Sequence, residues 1–306
     1  MYRFLTTLFL AGLLATGASA DATTFAIAAF IKNETAWLQQ WIHYYRTQGC
    51  SKVFLLDNGS TDHPEELLAP HIASGYVEIV KWPNKTYTGE RPAWWWERDT
   101  QVPGYNEAIK RLSDYDWVGC LDLDEYAVAE HGTLLEALDN FATRYPEAEG
   151  MGMIWRCYGD SGVWELAPGE LMIEKCTRWG DAWSCIGKVM LRPKEVLYCH
   201  ISHCFVTRRG DQRCFDGSPY SYPRTGSRVG LQLNHYMSRT AKYLVEGRIA
   251  SELAQGHEGS AERWRAFGAS LNSHEDHDLW IQRFVPAVKA SMAEEARGIP
   301  LLPPAQ

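Results

Sequence analysis

The chain has 306 residues, 45% hydrophobic and 22% charged, the balance of a globular protein with room for one large α/β domain or two modest ones. Its formal net charge of −8 argues against a nucleic-acid backbone as partner, since that binding is driven by Lys and Arg. Thirteen Trp and fifteen Tyr serve core packing first, and they also suit stacking on nucleobases and sugar rings.

The first twenty residues read as a signal peptide or short signal anchor: Arg3, the apolar stretch "FLTTLFLAGLLATGA", and "ASA" before Asp21. The apolar run is short against the roughly 20 residues of a membrane span. A mature chain beginning near Asp21 would sit in the secretory pathway, in the Golgi lumen or membrane, or secreted if nothing retains it. Eight cysteines suit an oxidising compartment. Cys157, Cys176, Cys185, Cys199, Cys204 and Cys214 crowd the middle third without CxxC spacing, so disulfides are expected rather than zinc; Cys50 and Cys120 read as buried thiols.

From residue 24 the pattern is strand, helix, strand. "TFAIAAFI" is a strand, and "ETAWLQQWIHYYRTQG" puts Trp37, Leu38, Trp41, Ile42 and Tyr45 on one helical face, with Gly49 ending it. "KVFLLD" is apolar almost throughout, as a parallel strand buried on both faces should be. "DHPEELLAPHI" predicts a second helix, with Asp62 near its cap and Pro64 in its first turn; "YVEIVKW" is the third strand. Residues 83–100 break the pattern as a loop, and a helix at 104–113 leads into the strand of "WVGCLDLDEYAV". This order implies a mostly parallel, doubly wound α/β sheet with helices on both faces. Farther on, "GTLLEALDNFATRY" reads as a helix, "GMGMIWRCYG", "KVMLRPKEVLY" and "LQLNHYM" as strands, and "AKYLVEGRIASELA" as a helix. The domain is expected over 21–255, with residues 256–306 a helical or irregular, Pro-ended tail.

In doubly wound sheets, ligands bind beyond the carboxyl ends of the strands. "LLDNGSTD" and "LDLDEY" both begin there. Asp122 and Asp124 form a DxD pair whose period-two spacing sends both carboxylates to one face if the strand continues. Two like charges so close call for a cation, and hard oxygen ligands suit a divalent ion bridged to a diphosphate. Asp57 ends the second strand and is placed to accept hydrogen bonds from a nucleobase. Asn33, in "IKNE", either caps the first helix or meets the ligand. Asn33, Asn58 and Asn84 lie in N-x-Ser/Thr patterns, of which Asn84 is the one expected to carry a glycan. "SHEDHDLW" mixes His and acids without defined spacing and reads as a solvated surface.

Taken in order, "IKNETAWLQQWIHYYRTQGCSKVFLLDNGSTD", "WVGCLDLDEY", "WRCYGDSG", "IGKVMLRPKEVLYCHISH" and "NHYMSRTAKYLVEGRIAS" resemble glycosyltransferase family 92 over roughly residues 24–254. The resemblance implies a GT-A fold, a UDP-sugar donor (most often UDP-galactose), a divalent metal such as Mn2+, a glycan acceptor and inversion at the transferred carbon. It implies that Asp57 meets the base, that Asp122 and Asp124 flank the metal and the ribose–diphosphate, and that Gln101 and Asn106 face the donor. His235 would be a late metal or diphosphate ligand, though by itself it reads equally as a core histidine, with His200 and His203 as competitors. An inverting transfer needs a general base, for which Asp160 and Asp181 are the candidates. Trp94, Trp95 and Trp96 would cover the donor or stack on an acceptor sugar, with Trp155, Trp164, Trp179 and Trp183 on the acceptor side. The alternative is a secreted, non-catalytic carbohydrate-binding protein on the same scaffold. A glycosidase is disfavoured, because Asp122 and Asp124 lie too close together to straddle a glycosidic bond.

Overall fold

The computed structural model describes residues 23–86, 88, 94–181, 186–223, 226–254, 259–274 and 276–299. The leader at 1–20, Trp183, Cys185 and residues 300–306 lie outside them. Among the described residues no helix is long and apolar enough to cross a membrane.

The strands are β1 (Phe25–Ile31), β2 (Lys52–Asp57), β3 (Val77–Lys81), β4 (Trp117–Cys120), β5 (Glu125–Ala129) and β6 (Gly150–Tyr158). They continue as β7 (Trp179–Gly180), β8 (Gly187–Leu191), β9 (Val196–Ile201), β10 (Cys204–Thr207), β11 (Gln212–Cys214) and β12 (Leu231–His235). The α-helices are α1 (Thr35–Thr47), α2 (Pro64–Leu67), α3 (Ala69–Ala73), α4 (Val102–Arg111) and α5 (Leu134–Arg144). After these come α6 (Met172–Lys175), α7 (Ala250–Ala254), α8 (Ser260–Ser270) and α9 (Val285–Ala296).

One sheet runs β3-β2-β1-β4-β8-β6-β12-β5, with β7 and β11 added to β6, and β9–β10 form a separate hairpin. The first half is parallel, as the strand–helix alternation requires: β1 pairs in parallel with β2 and β4, and β2 with β3. The second half is mixed, because β8 runs antiparallel to both β4 and β6 while β12 is parallel to β6. The acidic pair falls between two strands, in the turn from β4 to β5, so the strand does not run through it.

β5 is an edge strand, antiparallel to β12. An edge exposes unpaired backbone groups, and the aromatic face of α1 covers them. Trp41 Nε1 and Tyr45 OH donate to Glu125 O at 3.1 and 2.9 Å, and Tyr44 OH donates to Ala127 O at 2.7 Å. Ala127 N donates back to the Tyr45 hydroxyl at 3.0 Å. These buried rings therefore hold the strand that follows the acidic turn.

The capping roles differ from those expected. Glu34 is the N-cap of α1 and makes no side-chain cap; the first turn is closed from another loop by Asp62 Oδ2, which accepts from Thr35 N at 2.9 Å and Thr35 Oγ1 at 2.8 Å. Asn33, in the left-handed region at φ 56°, accepts from Thr61 N at 2.8 Å instead. The helix expected over 62–72 is two short pieces divided at Leu68. "KVMLRPKEVLY" is likewise broken, by a 3-10 turn at Pro193–Glu195 between β8 and β9. The tail expected beyond residue 255 is integral instead: Ile281, Phe284, Val285 and Val288 are buried in the main core.

The disulfide expectation is corrected for the five described cysteines it covered, Cys157, Cys176, Cys199, Cys204 and Cys214, all of which are free, while Cys50 and Cys120 are buried free thiols as expected. All but the half-buried Cys204 are buried, and three use backbone acceptors: Cys50 Sγ donates to Lys52 O, Cys176 Sγ to Arg239 O and Cys199 Sγ to Ile201 O, each at 3.2 Å.

Asp62→Ala removes the acceptor of the first α1 amide and is expected to cost about 1–2 kcal/mol in urea unfolding, with Asp62→Asn retaining most of it. An Asp62→Ala variant as stable as wild type would remove the cap from this account.

Candidate active site

A cavity of about 360 Å³ opens where β1 and β4 end, with Asp122, Leu123 and Asp124 in its wall. Leu121 and Leu123 are buried at 0% and 3% exposure, and this anchoring turns the carboxylates of Asp122 and Asp124 away from the core side. Each then meets its own cations.

Asp122 Oδ2 accepts from Lys188 Nζ at 3.1 Å, and Asp122 Oδ1 from Tyr105 OH at 3.4 Å. Lys188 is 1% exposed on β8, and its ammonium also lies 3.8 Å from Glu125 Oε2. Glu125, fully buried, accepts from Asp122 N at 2.8 Å and from Trp155 Nε1 at 2.7 Å. Burial pushes the Glu125 carboxyl up to about 7, Lys188 opposing and Asp122 adding to the rise. Burial alone would lower the Lys188 ammonium, but the Asp122 and Glu125 carboxylates hold it well above its ordinary value.

Asp124 faces His235 Nε2 at 3.5 Å and Arg239 NH2 at 3.9 Å. Burial would raise its carboxyl, yet the His235 and Arg239 charges take it far below the carboxylate range. In turn Asp124 holds the buried His235 in its protonated form against the effect of burial. Arg239 adopts the left-handed region at φ 49°, and its guanidinium also grips Glu34, with NH2 3.3 Å from Oε1. It lies over the Tyr243 ring at 4.5 Å. Two π-helical turns, Glu97–Gln101 and Tyr243–Ile249, supply Gln101, Tyr243 and Arg248 to the cavity, a form of backbone often found at functional sites.

Asp122, Asp124, Gln101 and His235 thus come together around one cavity, with Trp96 and Trp155 as apolar wall. The other candidates stand apart from its lining. Asp57 is buried at the end of β2, paired with Lys81 Nζ at 2.6 Å and accepting from Ser60 N at 2.8 Å. Burial would raise its carboxyl, but these contacts bring it below the ordinary value. Asn33 borders a neighbouring depression beside Trp37 and Tyr243. Asn106 spends its amide on structure: Nδ2 donates to Val102 O at 2.9 Å, and Oδ1 accepts from Cys199 N at 2.8 Å. Asp160 Oδ1 accepts from Gly162 N at 2.8 Å and Asn272 Nδ2 at 3.2 Å, the work of a turn residue. Asp181 is exposed and pairs with His274 Nε2 at 2.9 Å. His203 Nδ1 lies against Gly187 O at 3.0 Å. Trp94 points outward at 81% exposure, and Trp179 stacks on His274 with centroids 3.8 Å apart.

Reading the sequence missed Glu34, Lys188 and Arg239. A lysine within the apolar run "GKVML" was the available signal for Lys188; Arg239 carried none.

Asp124 and His235 offer a divalent cation two ligand atoms, and Asp122 adds a carboxylate elsewhere in the cavity wall; among the described residues the three do not bring their ligand atoms within 4.8 Å of one another. Asp122 and Asp124 offer hard oxygens, Asp124 Oδ1 and His235 Nε2 are 3.5 Å apart, and His235 Nδ1 is a buried nitrogen with no hydrogen-bond partner. A metal there must displace the His235 proton, because imidazole ligates only in its neutral form.

Lys188→Met leaves Asp122 and Glu125 without their shared cation and is expected to cost roughly 3–5 kcal/mol in urea unfolding. Lys188→Met/Glu125→Gln should recover much of that loss. A near-neutral single variant would contradict the role given to Lys188.

Comparison with known proteins gives the family. The family model described as glycosyltransferase family 92 matches residues 22–258. Glycosyltransferase family 92 protein Os08g0121900 of Oryza sativa subsp. japonica is 24% identical over 271 residues, 86% of this chain and 42% of that protein. Glycosyltransferase family 92 protein At1g27200 of Arabidopsis thaliana is 28% identical over 146 residues, 45% of this chain and 23% of that protein. The chain therefore spans less than half the length of these relatives. S. aureus TarS superposes on 56% of this chain and 28% of its own at 12% identity and a TM-score of 0.35. Glucosyl-3-phosphoglycerate synthase of Mycobacterium tuberculosis, in complex with Mn2+, UDP and glucosyl-3-phosphoglycerate, does so on 57% and 58% at 16% identity and a TM-score of 0.31. These partial superpositions are too low to add to the assignment, which rests on the family match: this curled α/β chain belongs to glycosyltransferase family 92.

Proposed function

We propose that the chain transfers a sugar, galactose by family resemblance, from a UDP-sugar to a hydroxyl of a glycan acceptor, with inversion and with a divalent cation, manganese by preference. The observation that carries this reading is the acidic turn of Asp122 and Asp124, with Asp124 facing His235, in the wall of a cavity at the carboxyl ends of β1 and β4. Family membership supports the reaction class.

In this reading Asp122, Asp124 and His235 hold the cation. When bound, it supplies Lewis-acid stabilisation of the departing diphosphate. The chain does the rest. Lys188 fixes the Asp122 carboxylate from below. Arg239 ties Glu34, in the loop after β1, to the Asp124 side. Lys32 and Arg248 line the same cavity and give it cations for the donor's phosphates. Trp96 and Trp155 offer the apolar surface on which a sugar ring packs. The general base is not taken to be Asp160 or Asp181, whose carboxylates serve a turn and a surface pair. The leader-like first twenty residues support a location in the secretory pathway.

Calorimetric titration with UDP, with and without Mn2+, tests the donor half of the proposal. Binding is expected to require the metal and to weaken at least about tenfold, or 1.4 kcal/mol, in Asp124→Asn. A folded protein that ignores UDP in both conditions would favour the carbohydrate-binding alternative.

A further inference from the structure

A second group of metal-ligating side chains lies outside the cavity, between α1, α3 and α9. His43 and His71 are fully buried, and Glu295 reaches them from the last helix with its side chain 12% exposed. His43 Nε2 is 2.6 Å from Glu295 Oε2, and His71 Nε2 is 3.3 Å from Glu295 Oε1. One ligand atom from each residue falls within 4.8 Å of the others. We propose that His43, His71 and Glu295 form a structural zinc site that fastens the C-terminal helix α9 to α1 and α3.

Three observations carry the assignment. The His71 ring is wholly buried, its Nε2 faces Glu295 Oε1, and its Nδ1 has no hydrogen-bond partner. A neutral imidazole has one lone pair and one N–H to satisfy, and a wholly buried ring with one nitrogen unpaired and the other aimed at a shared carboxylate suits a ligand. His43 has the support that a metal-binding histidine usually has on its far side. Its Nδ1 lies 2.8 Å from Ser291 Oγ, which fixes the ring and directs Nε2 toward Glu295. A fourth polar atom faces His43: Gln39 Nε2 is anchored on Leu67 O at 3.2 Å, and Gln39 Oε1 stands 3.1 Å from His43 Nε2.

Two imidazoles with one carboxylate and a carboxamide suit zinc rather than the magnesium, calcium or manganese that prefer all-oxygen shells. Zinc bonds of about 2.0–2.1 Å hold tetrahedral ligand atoms roughly 3.3–3.4 Å apart, close to the separations of His71–Glu295 and His43–Gln39. His43 and Glu295 would have to part slightly from their 2.6 Å contact. The site would act on the cavity at one remove. It clamps the outer face of α1, whose inner face donates to Glu125 O through Trp41 and Tyr45.

The test uses the chain purified with a non-histidine tag, stripped with EDTA, reloaded with zinc chloride and desalted, with metal content and Tm measured on the same sample. About one zinc per chain should be retained, with a rise in Tm. Both should persist in Asp124→Asn, which separates this site from the cavity, and both should be lost in His71→Gln and Glu295→Gln. Ser291→Ala, which removes only the support of His43, should weaken zinc binding about 10–100-fold in a folded protein. Wild type without zinc above background would overturn the proposal. So would zinc that survives both His71→Gln and Glu295→Gln, or zinc lost in Asp124→Asn alone.

Discussion

The ammonium of Lys188 is the interaction on which the acidic cavity depends. It sits beneath the turn at 1% exposure and faces Asp122 at 3.1 Å and Glu125 at 3.8 Å. Without a buried cation, carboxylates three residues apart at the end of an apolar strand would repel one another and resist burial. With it, Glu125 can be wholly inside, accept from the Asp122 amide and from Trp155, and close the turn. Strand β8, antiparallel between β4 and β6, carries the lysine to that point.

The next layer of constraint is α1. Its aromatic residues satisfy the free edge of β5, so the strand leaving the acidic turn is held on one side by β12 and on the other by Trp41, Tyr44 and Tyr45. At the start of the same helix, Arg239 joins Glu34 to Asp124. The loop after β1, the acidic turn and the segment after β12 are thus tied together through Arg239. A rigid frame of this kind suits a site whose work is to place a charged donor, because positioned dipoles and charges need no reorganisation during reaction.

Much of the frame was legible in the sequence. Apolar runs ended by Gly, Asn or Asp separate "TFAIAAFI", "KVFLLD" and "WVGC" from helices with a clear 3.6 period, and all three became parallel neighbours. The position of Asp122 and Asp124 at a strand end was legible for the same reason. Their partners were not: Lys188 is 66 residues away from Asp122, and Arg239 is 205 from Glu34, and no local pattern reports a contact across such distances. Asn33 and Asp62 misled for a related reason. Either could cap a helix by its chemistry, but tertiary packing gave Asp62 to α1 and set Asn33 to tie two loops together. Composition pointed Cys157, Cys176, Cys199, Cys204 and Cys214 toward disulfides, yet each is a separate thiol, as Cys50 and Cys120 are. The C-terminal segment read as a helical or irregular tail because it is charged, His-containing and Pro-ended, and it does carry the helices α8 and α9. Ile281, Phe284 and Val288 suffice to seat it against the core.

The most direct test of the proposed donor site is a crystal grown with Mn2+ and UDP, with anomalous differences recorded above the manganese edge. The account predicts one strong peak within bonding distance of the Asp122–Asp124 turn and His235, with nucleotide density in the same cavity. A manganese peak and nucleotide elsewhere on the molecule, with this cavity left to solvent, would contradict it.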